Sequence, residues 1–158
     1  MLTPQEKQAL IAAIRALPDQ LEALVSGLTD VQLTTRYLPG EWTVAQNVHH
    51  VADSHMNAYI RTRFALTQEH PTIMPYDQDA WAELADVHSR PVSDSILLLR
   101  GLHARWAALF ESLDDAALAR AFLHPANGVM TIEAILRSYA AHGKEHQDQI
   151  QRTLAAAG

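Results

Sequence analysis

Two histidines four residues apart, in His142-Gly-Lys-Glu-His146, are the pair in this chain best suited to chemistry. Side chains at i and i+4 of an α-helix project from one face about one turn apart. Neutral imidazole is a common ligand for zinc and similar divalent ions, and such a pair supplies two ligands from one rigid element. A third ligand must come from elsewhere. The chain holds nine histidines and no cysteine. Disulfides, thiolate ligation and a cysteine nucleophile are therefore excluded, and any thiol chemistry must bring its sulfur from outside. The neighbouring residues His49 and His50 are the next candidates, but adjacent helical residues point about 100° apart, so at most one of them can join the closing pair. His49 shares a helical stripe with Ala45, Ala52, Met56 and Ile60 and reads as a core histidine. His50 shares one with Thr43, Gln46, Asn47, Ser54, Asn57 and Arg61, which suits either a solvated face or a wet cleft. Spacing alone leaves the choice open.

The elements that would position these rings are helices. Thr3-Pro4-Gln5-Glu6 has a Thr N-cap, Pro in the first turn and an acid behind it, so a first helix is predicted from there to about Ser26, with Gly27 as its stop. Pro18 is expected to kink or interrupt it, since proline removes a donor and crowds the preceding turn. Residues 29–33 suit a short turn, and Pro39-Gly40 punctuates a loop. From Thr43 to about Thr67 no Pro or Gly intervenes, which predicts a second long helix. His70 to Gln78 reads as loop, Asp79 to Asp86 as a short helix, and Ser93 to Leu113 as a third long helix with apolar positions at Ile96, Leu99, Leu102, Trp106 and Phe110. Asp114 to Arg120 suits a turn, as does His124-Pro-Ala-Asn-Gly128, and the closing helix is predicted from Thr131 to about Ala156. No alternating strand is expected. The fold class is all-α: a four-helix bundle with one or two long crossover connections and short extra helices, in a single domain over residues 1–158.

With 48% hydrophobic and 19% charged residues the composition is that of an ordinary globular chain. The net charge of −6 comes from acids spread along the chain, with no cationic stripe of the kind a phosphate backbone needs, which argues against nucleic acid. No apolar run approaches the ~20 residues needed to span a bilayer, and no basic-then-apolar leader opens the chain. A cytoplasmic protein is expected.

Further residues carry a family resemblance: Gly40-Glu41-Trp42-Thr43-Val44; His50 eight residues after Trp42, within Val48-His-His-Val-Ala-Asp-Ser-His55; and His142 with His146 before Gln147-Asp-Gln-Ile150. Met56-Asn-Ala-Tyr-Ile-Arg61, Pro75-Tyr76-Asp77 with Trp81, and Leu102-His103-Ala-Arg105-Trp106 extend it over most of the chain. In these the sequence resembles the DinB/YfiT-like superfamily of metal-binding four-helix proteins, and within it the YfiT branch, named for a metal-dependent hydrolase. The resemblance implies one divalent metal (zinc, nickel or iron) held by His50, His142 and His146, with water in the remaining positions, and a homodimer. It selects His50 over His49.

Three neutral ligands with an exchangeable position are the arrangement of catalytic rather than closed structural sites. The resemblance favours transfer of a small bacillithiol-like thiol to an electrophile. Hydrolysis by metal-bound hydroxide is the alternative, and a non-catalytic metal-binding module the second alternative. No residue is assigned as general acid or base. Asp53, three residues beyond His50, is placed to orient a ligand ring as an outer carboxylate. Arg61, His103 and Arg105, with His55, are candidates to meet a carboxylate on substrate or cosubstrate, and Tyr76 to line a pocket mouth. Gly143, inside the closing helix, implies a close approach by backbone or substrate, because glycine there costs about 1 kcal/mol relative to alanine.

Overall fold

The computed structural model describes every residue from Met1 to Gly158. Its elements are α1 (Pro4–Val25), α2 (Asp30–Thr34), α3 (Val44–Thr67), α4 (Gln78–Trp81), α5 (Ala85–Ser89), α6 (Val92–Ser112), α7 (Asp115–Leu118), β1 (Ala121–His124), β2 (Gly128–Thr131) and α8 (Ile132–Ala155). The long helices α1, α3, α6 and α8 form a four-helix bundle. Each of α1 and α3 packs against both α6 and α8, so α1 and α3 occupy opposite corners and the chain crosses the bundle between them. Thr3, Thr29 and Thr43 each start a helix with a reciprocal capping box, the hydroxyl accepting an N–H three residues on and that residue's side chain accepting the threonine N–H. A threonine cap of this kind stabilises a helix start by about 1 kcal/mol. No helix is long and apolar enough to cross a membrane.

Three expectations are corrected. First, Pro18 does not interrupt α1, which runs from Pro4 to Val25 with Pro18 buried inside it. Second, the segment before α8 is an antiparallel hairpin, with Ala121 opposite Thr131 and His124 opposite Gly128. Four residues per strand are too few to show a period of two, and the only sequence signal was the turn itself. Gly128, at φ 75°, closes that turn in a conformation that favours glycine. The hairpin also gains a neighbour: Leu123 N–H donates to Pro71 O at 2.9 Å and its carbonyl accepts from Ile73 N–H at 3.0 Å. The long connection after α3 is thereby stitched to β1. The expected helix at Asp79 to Asp86 is instead two short ones, α4 and α5.

The apolar core is divided. One cluster holds Ile11, Ile14, Ala58, Trp106, Phe110, Ile135 and Leu136, and the other Leu17, Leu21, Val48, Val51, Leu99 and Ile150. Along each long helix the switch falls in the same zone: Ile14 to Leu17 in α1, Ala52 to Ala58 in α3, Leu99 to Trp106 in α6, Leu136 to Ile150 in α8. Between them lie His50, Ser54, His55, His103 and His146, buried polar side chains that form a layer across the bundle. Such groups are tolerated inside only when their hydrogen bonds are made.

Candidate metal centre

α3 and α8 are neighbours, and this brings His50 to the closing pair. His50 Nε2 lies 3.4 Å from His142 Nε2, and His142 Nε2 3.1 Å from His146 Nε2. The ligand atoms of all three residues fall within 4.8 Å of one another. Two nitrogens each about 2.05 Å from a tetrahedral ion stand about 3.3 Å apart, so the spacing suits a three-coordinate imidazole set around one cation.

The ring nitrogens on the far side test that fit. Asn47 Nδ2 donates to Thr43 O at 3.0 Å, which turns Asn47 Oδ1 toward His146 Nδ1 at 2.8 Å. An amide oxygen only accepts, so His146 carries its proton on Nδ1 and a lone pair on Nε2. His142 Nδ1 lies 3.2 Å from His55 Nε2. Burial pushes His50 and His142 down to about 3, each further lowered by a neighbouring imidazole, and burial pushes His146 down to about 4. At neutral pH the three rings are uncharged. Lone pairs facing one another at these distances repel unless a cation lies between them, so the residues present fit a divalent metal. The Trp42 ring covers one side of the cluster, stacked on His146 at 6.2 Å between centroids and tilted on His50 at 4.6 Å. His50 and His146 are 4% and 9% exposed.

His142 also lines a cavity of about 650 Å³, together with Ser54, Arg61, Tyr76, His124 and Tyr139. Arg61 Nη2 donates to Met74 O at 3.1 Å, while its Nε is buried without a partner. Its guanidinium lies 5.9 Å from the Tyr76 ring centre, and no carboxylate pairs with it. Both Ala126 N–H (3.2 Å) and Asn127 N–H (3.3 Å) donate to His124 Nδ1, which leaves its ring proton on Nε2 as a donor.

The structure redistributes the remaining candidates. His49 is a core histidine, its Nδ1 bonded to Ser95 Oγ at 2.8 Å, and stands apart from the metal cluster. No hydrogen bond joins Asp53 to a ligand ring, and the outer partners are Asn47 and His55 instead. Burial, with Asp86 nearby, holds the Asp53 carboxyl up at about 6. His103 is sealed in the core, bonded to Ile14 O and to His55, and has no access to substrate. Arg105 is exposed and lies over the Tyr59 ring at 5.6 Å, away from the cavity. Arg61 and Tyr76 do line the cavity. Asn47, which the sequence places on the helical stripe of His50 without a role, is the outer partner of His146. Gly143 packs its backbone on Leu17 of α1.

Comparison with known proteins agrees with this fold. A Geobacillus kaustophilus protein carrying the name of a metal-dependent hydrolase is 49% identical over 147 residues, spanning 92% of this chain and 82% of its own length. A second such protein, YfiT of Bacillus subtilis, is 43% identical over 92% of this chain and 82% of its own. The solved structure of Bacillus subtilis YfiT, described as a four-helix bundle of unusual topology, superposes with a TM-score of 0.93 at 42% identity, covering 97% of this chain and 88% of that one. A mycothiol-dependent maleylpyruvate isomerase, at 16% identity, TM-score 0.69, and coverage of 94% and 62%, shares the fold alone. With residues 13–150 matching the family as well, the chain belongs to the DinB superfamily.

Proposed function

We propose that this protein is a metal-dependent enzyme that joins a small thiol to an electrophilic carbon of a compact anionic substrate. The observation that carries the reading is the convergence of three imidazole Nε2 atoms beside a cavity of about 650 Å³. That is ample for a small organic molecule and its partner. Zinc, nickel or iron suits three imidazoles. A divalent ion held there supplies positive charge that lowers the pKa of a thiol or a water brought against it. The protein's own groups do the rest. His50, His142 and His146 hold the ion, and Trp42 shields the rings of His50 and His146 from water on one side. Arg61, lacking an acidic partner, and the His124 Nε2–H are donors for an anionic group such as a carboxylate. The thiol's proton leaves to solvent, its sulfur forms the new bond to carbon, and the leaving group departs with the old bonding pair.

Thiol transfer is favoured over hydrolysis by the surroundings of the three nitrogens. Glu145 is the one carboxylate lining the cavity and it is solvent-exposed, so water has no buried general base. A thiol, already near pKa 8.5 when free, needs less help. The relatives' names favour hydrolysis as a second reading.

The deciding experiment incubates protein reconstituted with zinc, and separately with nickel, with a panel of small thiols including bacillithiol and an alkylating electrophile. Parallel reactions offer esters and amides without thiol. Thiol-dependent product is expected. Product formed equally without thiol overturns transfer in favour of hydrolysis, and no product in either arm with one metal per chain overturns both in favour of a metal-binding module.

A further inference from the structure

Behind the metal cluster, three imidazoles and a backbone carbonyl stand in line. His142 Nδ1 is 3.2 Å from His55 Nε2, His55 Nδ1 is 3.0 Å from His103 Nε2, and His103 Nδ1 is 2.6 Å from Ile14 O. His55 and His103 are 0% and 1% exposed, so no bulk water competes for these bonds. Direction along the line follows from its far end. A carbonyl only accepts, so His103 must carry its proton on Nδ1 and present a bare Nε2. His55 must then donate from Nδ1 and present a bare Nε2 in its turn. His142 donates from Nδ1, and its remaining lone pair falls on Nε2, the nitrogen that faces His50 and His146.

The Ile14 carbonyl is free to start this sequence for a reason visible in the primary structure. In an α-helix the carbonyl of residue i accepts from the N–H of residue i+4. For Ile14 that residue is Pro18, which has no N–H. A buried carbonyl left without a donor costs about 1–3 kcal/mol, and His103, reaching across from α6, satisfies it. Ring packing holds the line in place: His55 stacks on His103 at 4.9 Å between centroids, and Tyr139 and Trp106 meet His55 edge-on at 5.0 and 5.9 Å.

We infer that Pro18, the Ile14 carbonyl, His103 and His55 form a positioning relay that fixes His142 in the one tautomer able to bind a metal through Nε2. This rests on the metal-centre reading for its purpose, though not for its geometry. His55 and His103 are positioning residues and touch neither metal nor substrate. The relay also accounts for two buried histidines that packing alone does not require, and for a proline kept in the middle of a bundle helix.

The test uses the full-length chain, metal-free, with histidine nitrogens labelled and long-range proton–nitrogen correlation spectra assigned. His103, His55 and His142 are expected to show the proton on Nδ1 and a bare Nε2. A proton on Nε2 of His55 or His142 overturns the relay. Pro18→Ala then supplies a competing N–H to Ile14 O in a substitution that helix propensity favours. The tautomers of His55 and His142 are expected to become mixed, and zinc affinity, read by competition with a chelator, to fall roughly ten-fold as for lost outer-sphere partners. Unchanged tautomers with unchanged affinity overturn the role of Pro18. The tautomer measurement needs neither metal nor substrate, so its failure is distinct from failure of the proposed reaction.

Discussion

Replacing Gly143 with alanine probes the contact that seats the closing helix against α1. A Cβ at this position would lie 2.6 Å from Leu17 Cδ2, 3.0 Å from Cδ1 and 3.3 Å from Cγ. Carbon atoms rest comfortably at about 3.5–4.0 Å. Three atoms of one side chain crowd the same point, so turning Leu17 about its last bond does not clear it, and at 2% exposure Leu17 is enclosed. Two effects compete. Alanine is favoured over glycine inside a helix by about 1 kcal/mol, whereas overpacking a filled core costs about 1–3 kcal/mol. The net is a loss of about 1 kcal/mol, which in a domain of this size lowers Tm by about 2–4 °C. Thermal unfolding of the metal-free protein, followed by circular dichroism, measures it. The background decides the sign: Leu17→Ala alone costs about 2–5 kcal/mol, but in that variant the space opens and Gly143→Ala becomes stabilising. Because His142 precedes Gly143, the wild-type-background variant is also expected to bind zinc more weakly. A Tm that rises by the full helix-propensity gain in both backgrounds would refute the reasoning.

Acid should destabilise the metal-free protein through its buried histidines. An unfolded histidine titrates near 6.5, while burial holds His50 and His142 at about 3 and His103 and His146 at about 4. The unfolded chain therefore binds protons first, and stability is full above pH 6.5 and declines as pH falls toward 4. Urea midpoints at pH 7.5, 6 and 5 should decrease in that order, and a flat series contradicts the depressed values. Asn47→Ala removes the acceptor of the His146 Nδ1–H, and zinc affinity should fall 10- to 100-fold as is usual for such outer partners. Chelator competition measures this, with Asn47→Asp, which keeps an acceptor, expected to bind as well as the parent.

Much of this was legible in the chain because the signals were local. The absence of Pro and Gly from Thr43 to Thr67 marked the extent of α3, and the i, i+4 histidines marked a shared face. The choice of His50 needed the family resemblance, since adjacent histidines differ only in which helix their stripe meets. What failed depended on tertiary partners. His103 looked available for a ligand, yet Leu99, Trp106 and Phe110 at i−4, i+3 and i+7 lie on its face and draw it into the core. Asp53 stands three residues from His50, but Asn47 and His55 are the partners bonded to the ligand rings. The hairpin escaped because its strands are short and one of its neighbours, Thr72, comes from a distant connection.

That neighbour matters beyond strand pairing. The metal ligands come from two bundle helices, α3 and α8, whereas Pro75, Tyr76, Phe122, His124 and Asn127, which form one wall of the cavity beside them, come from the two connections that Thr72 and Leu123 join. Structural responsibility is divided accordingly. Helix packing constrains the ligands, since moving one ring moves a turn of the core with it. Within the connections Ile73 and Phe122 are anchored in the core, whereas Pro75, Tyr76, His124 and Asn127 are not buried, and these can be exchanged while the three imidazoles keep their places. One scaffold can thus acquire different substrates by editing the wall of the cavity without rebuilding its floor.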